Sequence, residues 1–282
     1  MGRAFLGSEA AAQGKVTEHD LRRWHRRLFR DVYLAREHDL TLLDRIEGAW
    51  LRTGRRGVVA GLAAAALHGS RWVDPNIPIE LIAKQTRSPA GLIVRNESLA
   101  PDEITRVSGI PVTTRARTAF DLARHLPRGQ AVARLDALMR AQRFSTQDVL
   151  LLAERHRGAR GLKSLRGVLP LIDGGAASPQ ESRLRLLYID AGLPKPETQL
   201  AIVGARARVI RWSDMGWREF MVAAEYDGDQ HRTDRRVYTK DIRALRAARN
   251  LGWIVDQVIK EDSDDEIVAR ARAALISRGW KP

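Results

Sequence analysis

The chain of 282 residues contains no cysteine. That excludes disulfides, cysteine-ligated zinc, iron–sulfur clusters and a cysteine nucleophile. A metal would have to be held by carboxylates and histidine, a donor set suited to a hard ion such as Mg2+. No apolar run approaches the ~18 residues of a membrane-spanning helix. The longest, from Gly57 to Leu67, is rich in small residues. The stretch Met1 to Gly7 lacks the apolar core of a signal peptide. The expectation is a cytoplasmic protein with no membrane partner. Lysine is scarce too: seven of the 48 basic residues, the other 41 being arginine.

What is present is an ordinary globular composition, 44% apolar and 29% charged. At roughly 100–200 residues per domain, the length suggests two domains. The net charge is +14. Arginine carries a planar, permanently charged fork that pairs with phosphate, so the excess points towards nucleic acid. An arginine- and alanine-rich, lysine-poor chain also follows from coding bias, so charge alone leaves this open. Asp173-Gly174-Gly175-Ala176-Ala177-Ser178-Pro179 is the clearest break. Residues 1–175 hold 29 bases against 18 acids, and residues 176–282 hold 19 against 16. Most of the excess charge is therefore N-terminal.

The first region, 1–172, reads as basic and mainly helical. A short helix over Ser8 to Gln13 and a second capped by Thr17 precede a strand over Leu28 to Tyr33. This is a small winged-helix pattern, covering about residues 1–40. Arg22, Arg23, Arg26 and Arg27, with Arg30, would give it a basic face for DNA phosphates; a solvated charged surface is the alternative. A helix over Thr41 to Arg52 carries Leu42, Ile46 and Trp50 on one stripe. Strands are expected over Pro78 to Ile82 and Leu92 to Val94. Helices are expected near 115–126, 129–142, 146–156 and 160–171.

The segments Val58 to Gly69, ending in Leu67-His68-Gly69, and Ile110 to Ala123, with Val112-Thr113, Arg117-Thr118 and Asp121-Leu122, together resemble the AbiEi-type antitoxin and transcriptional-regulator family of bacterial abortive-infection systems. The resemblance covers about residues 1–125. It implies a winged-helix DNA-binding unit, short in this chain, followed by a regulatory or interaction domain, and a toxin or defence-system partner. His68 would cap the end of its helix.

The second region, 176–282, reads as α-β-β-β-α-β-α. Ser178-Pro179-Gln180-Glu181 opens the first helix as a capping box. Three strands follow over Thr198–Val203, Ala207–Asp214 and Phe220–Tyr226, with Gly216 between the second and third. A basic helix over Arg235 to Asn250, a strand over Trp253 to Ile259 and a helix opened by Ser263 complete it. The fold class is α/β (α+β), with a mixed sheet in this region. Asp214, Glu225 and Asp227 fall at strand ends, Glu225 and Asp227 two apart and so on one face. If the strands form a hairpin, Asp214 lies beside Glu225. Carboxylates gathered this way repel unless a cation sits between them, so a divalent metal is an economical account. His231 follows the turn. Arg232, Arg236, Lys240 and Arg243 recur at helical spacing and could hold phosphates.

The run Glu225-Tyr226-Asp227-Gly228-Asp229-Gln230-His231-Arg232, together with Glu181, Asp214-Met215-Gly216-Trp217 and Asp241-Ile242-Arg243, resembles the PD-(D/E)XK nuclease superfamily, in particular its branch similar to very-short-patch (Vsr) mismatch repair endonucleases. The resemblance implies a restriction-endonuclease-like fold. Asp214 and Glu225 would hold Mg2+ (or Mn2+), with Glu181 reaching the site. His231 or Lys240 would assist water attack. Asp227 stands where the superfamily carries lysine. Two readings follow: an Mg-dependent deoxyribonuclease acting on DNA, or a DNA-binding regulator of antitoxin type with a catalytically silent nuclease fold.

Overall fold

A computed structural model of the chain describes residues 3–84, 90–227 and 235–282. It has mixed α/β content and divides into two compact units, Met1–Pro170 and Leu171–Pro282.

The first unit begins with β1 (Phe5–Leu6), α1 (Gly7–Ala12), α2 (Glu18–Trp24), β2 (His25–Phe29) and β3 (Val32–Ala35), the strands pairing in the order β1-β3-β2. Thr17 caps α2, and its hydroxyl and Asp20 satisfy each other's backbone N–H groups in a full capping box. The single strand expected over Leu28 to Tyr33 is instead a hairpin. The chain turns at Arg30-Asp31, where Asp31 adopts φ 65°, a conformation Asp tolerates better than most residues. The Thr41 capping box starts α3 (Leu42–Arg52), and Ile46 on its expected stripe is buried, with Leu42 and Trp50 packed beside it.

A second sheet follows, ordered β6-β5-β4-β8-β7. It is built from β4 (Val58–Val59), β5 (Ile79–Ile82), β6 (Leu92–Arg95), β7 (Ile104–Val107) and β8 (Ile110–Thr113). The small-residue run is not one helix: its first residues form β4, and α4 (Gly61–Leu67) starts after Ala60. His68 stands at the C-cap of α4, where its ring nitrogen Nε2 meets the Thr113 carbonyl at 2.8 Å. Burial holds its pKa below the usual histidine value. The expected helices appear as α5 (Arg115–His125), α6 (Arg128–Ala141), α7 (Thr146–Arg155) and α8 (Leu162–Val168).

The second unit runs α9 (Pro179–Asp190), β9 (Glu197–Val203), β10 (Val209–Trp217), β11 (Val222–Tyr226), α10 (Arg235–Asn250), β12 (Ile254–Val258) and α11 (Asp264–Ser277). Its sheet is mixed, ordered β12-β11-β10-β9, with β12 parallel to β11 and the other pairs antiparallel. Met215, Trp217, Val222 and Ala224 pack with Leu184 and Tyr188 of α9 and Ile267 of α11. Ala223 and Val255 pack with Leu245 and Ala248 of α10. Helices therefore bury both faces of the sheet, as the apolar run Val222-Ala223-Ala224 requires. Trp217 and Trp253 are core residues, whereas Trp212 is 60% exposed.

Two sequence expectations change here. Gly216 is not a turn residue but lies inside β10. A Cβ there would stand 2.5 Å from the Val222 carbonyl oxygen, so the close approach of β11 requires glycine. Asp214 lies three residues before the end of β10 rather than at its end.

Candidate functional site

The acids singled out in the second unit are positioned by α9, β10 and β11. Ser178 caps α9 by accepting the Glu181 N–H at 3.2 Å. The Glu181 carboxylate does not close the box on Ser178; it reaches one residue further and accepts the Ala177 N–H at 2.8 Å. Glu181 is thereby fixed and buried at the first turn of α9. Asp214 Oδ2 accepts the Tyr226 N–H at 2.8 Å across the β10–β11 pair. Glu225 is buried near the end of β11, where Ser213 Oγ donates to its Oε1 at 2.8 Å.

These carboxylates share one electrostatic neighbourhood. Burial, and then the charges of Glu181 and Glu225, push the Asp214 carboxyl up to about 7. Sequence reasoning missed the group that answers this charge. Arg211, earlier on β10, lays its fork on Glu225, with Nε donating to Oε1 and Nη2 to Oε2. Its Nη1 donates to the Asp241 carbonyl of α10 at 3.2 Å. Only 15% of the Arg211 side chain is exposed, and 9% of the Glu225 side chain. No local signal in the sequence marked it, because its partner lies across the strand pair.

Arg211 takes up Glu225, one of the two carboxylates expected to share a metal. Both Glu225 oxygens are engaged, and one oxygen each of Asp214 and Glu181 is held by a backbone N–H. Among the described residues, no group of three or more histidine, aspartate and glutamate side chains is arranged to hold a metal ion. The arrangement as it stands does not fit Mg2+ or Mn2+. Asp227 lies just past β11, its N–H donating to the Val258 carbonyl of β12 at 2.8 Å. His231 and Arg232 lie outside the described residues. Arg236 is within α10, and Lys240 and Arg243 are exposed on that helix.

In the first unit, Arg22, Arg23 and Arg27 are exposed along α2 and β2. Arg22 pairs with Glu18 one turn back. The Arg23 guanidinium stands 4.8 Å from the centroid of the Trp24 ring, which is itself exposed. Arg26 turns inward and donates to the carbonyls of Arg36 and His38, tying the hairpin together.

A second charged centre lies around α5. Arg117 is fully buried and donates to Glu97, Glu103 and Asp121. Arg124 shares Glu97 and Asp121 with it, and Arg155 closes on Asp102 and Glu103. This network ties the segment between β6 and β7 to α5 and to the end of α7. It uses Arg117 and Asp121, two residues of the segment that resembles the AbiEi type.

Residues 58–171 match the AbiEi antitoxin C-terminal domain family. Two Mycobacterium tuberculosis proteins are similar along most of the chain: "Uncharacterized protein MT2308" of strain CDC 1551 and "Uncharacterized protein Rv2248" of strain H37Rv. Each is 33% identical over 238 residues, covering 84% of this chain and 86% of the relative. No solved structure matches the chain. Among the described residues, no helix is long and apolar enough to cross a membrane.

Proposed function

Because the chain belongs to the same family as these two mycobacterial proteins and carries an AbiEi antitoxin C-terminal domain, we propose that it is a DNA-binding regulator of antitoxin type. Its α-β-β-β-α-β-α unit keeps a nuclease-like order without turnover. The observation that carries this reading is the matched domain following, after α3, a helix–helix–hairpin unit with exposed arginines. Arg23 and Arg27 would contact the DNA backbone, releasing counterions as they do so. A toxin or other defence-system protein would be the macromolecular partner.

The engaged state of Glu225 supports the non-catalytic half of the reading. A guanidinium supplies the charge that neutralises the buried carboxylate, and it cannot activate water as a metal does. The approach of Glu181, Asp214 and Glu225 to one another favours a second reading, a metal-dependent endonuclease acting on DNA.

One assay separates them. The full chain is incubated with supercoiled plasmid and with duplex oligonucleotides, with Mg2+, Mn2+ or EDTA. Salt-sensitive binding without nicking is expected, with binding weakened by Arg23→Ala plus Arg27→Ala. Metal-dependent nicking abolished by Glu225→Ala and Asp214→Ala overturns the regulator reading in favour of the enzyme. Neither binding nor cutting overturns both.

A further inference from the structure

Beside the buried ion network of the first unit lies a cavity of about 660 Å³. Three elements wall it: the end of β6 with the segment after it, the last turns of α5, and the turn that follows α7. Five arginines and two histidines line it against a single carboxylate, Glu97. That carboxylate is already shared by Arg117 and Arg124. Arg95 is held by Glu80, and Arg155 by Asp102 and Glu103. Arg157 and Arg160 have no carboxylate partner among the described residues; Arg157 Nε donates only to the Glu154 carbonyl at 3.2 Å.

The turn that presents these two arginines is fixed. Ala159 N–H donates to the His156 carbonyl at 2.8 Å, and Arg124 Nη1 to the Arg160 carbonyl at 3.5 Å. Gly161 closes the turn at φ 84°, and a Cβ there would stand 2.3 Å from the Arg124 carbonyl oxygen. The forks of Arg157 and Arg160 are therefore carried by backbone already packed against α5, which lowers the ordering cost of binding. His125, half-buried at the end of α5, also lines the cavity. Its ring nitrogens stand 3.8 Å from Glu80 and 3.7 Å from Glu97, beyond hydrogen-bond distance. Burial, then the charges of Arg124 and Arg95, push its pKa down to about 4, so the ring is neutral at pH 7 with one N–H to donate.

Preformed sites of roughly 300–1,000 Å³ accept small organic ligands. Uncommitted arginine forks converging on such a space match the oxygens of a phosphate group. We propose that this cavity binds a small phosphate ester, with Arg157 and Arg160 gripping the phosphate and His125 donating to it from the cavity wall. The site would give the matched domain a small-molecule input separate from its DNA-binding unit.

The test uses the full chain, isothermal titration calorimetry and three probes: adenosine monophosphate, inorganic phosphate and adenosine. Saturable binding of the monophosphate is expected, with weaker phosphate binding and no adenosine binding. Arg157→Ala plus Arg160→Ala should weaken monophosphate binding by at least about tenfold, the scale of one lost charge-assisted contact. Both residues are exposed, so the unliganded melting temperature should stay unchanged. The proton resonances of the His125 ring should titrate at higher pH once phosphate is bound. Absence of binding by both phosphate probes, or binding unaffected by the double variant, overturns the proposal. So does a double variant that loses only duplex DNA affinity, since the arginines would then belong to a polynucleotide surface.

Discussion

Removing Arg211 tests the reading of the acidic centre most directly. Its fork spans both Glu225 oxygens, and both side chains are largely withdrawn from water. Unit charges ~4 Å apart attract by about 4 kcal/mol at an effective dielectric near 20, with desolvation opposing this. Breaking such a pair from one side typically costs about 3–5 kcal/mol, because the remaining charge is left uncompensated. Ser213 still donates to Glu225 at 2.8 Å, which places Arg211→Ala near the lower bound, about 3 kcal/mol. For a unit of this size that is a fall in melting temperature of roughly 10 °C. The assay is urea unfolding of the full chain at pH 7, in a double-mutant cycle with Glu225→Gln. The second change should recover much of the loss, since a neutral amide needs no cation, giving a coupling of about 2 kcal/mol. Adding Mn2+ should stabilise Arg211→Ala but not the wild type, as mass action requires when a cation site has been vacated. A cost below about 1 kcal/mol, the level of an exposed pair, would refute the argument. So would strict additivity in the cycle.

Asp214 makes a pH-dependent prediction. Its carboxyl sits near 7 in the fold against 3.8 unfolded, so the folded state binds the extra proton between these values. Stability is therefore present below about pH 4 and lost as pH rises towards 7; Asp214→Asn should raise the melting temperature at pH 8 and leave it nearly unchanged at pH 4. His125 has the opposite sign: its pKa falls from 6.5 to about 4, so the unfolded state takes up the proton first. Stability is lost as pH falls from 6.5 to 4, and His125→Asn should flatten that loss in urea titrations across the same range. For the DNA-binding unit, Arg23→Ala plus Arg27→Ala should reduce the slope of log binding constant against log salt by about 2. An unchanged slope in electrophoretic or anisotropy titrations would remove both residues from the interface.

The elements legible in the sequence were those specified by local chemistry. Thr17, Thr41 and Ser263 each sit three residues before an acid, and each forms a complete capping box. The β7–β8 hairpin went unread because Thr105 and Arg106 break the apolar alternation that marks a half-buried strand. Gly216 was read as a turn because glycine marks both a bend and a close backbone contact, and only the position of Val222 separates these uses. The meeting of Asp214 and Glu225 followed from the hairpin, but Arg211 did not. Its role depends on a cross-strand contact that no local signal encodes. Arg117 and Asp121 stand one helical turn apart, but their pairing went unread, and Glu97 and Glu103 reach Arg117 from outside the helix.

The arginine excess therefore divides into two populations with different physics. Arg95, Arg117, Arg124, Arg211 and Arg270 neutralise carboxylates within their own units. In a chain without cysteine and with little lysine, the guanidinium fork does the work of compensating withdrawn charge at several carboxylates at once. That geometry favours arginine over lysine, whose single ammonium cannot reach Glu97, Glu103 and Asp121 together as Arg117 does. Such residues add to the net charge of +14, but their forks are taken up by carboxylates of their own unit. Other bases are exposed with no carboxylate partner among the described residues, including Arg23 and Arg27 on the N-terminal unit, Arg157 and Arg160 at the cavity, and Lys240 and Arg243 on α10. A count of charges cannot tell these groups apart. Burial and pairing can, which is why the proposed DNA contacts are placed on α2 and β2 and the proposed phosphate site at the turn after α7, rather than on the basic chain as a whole.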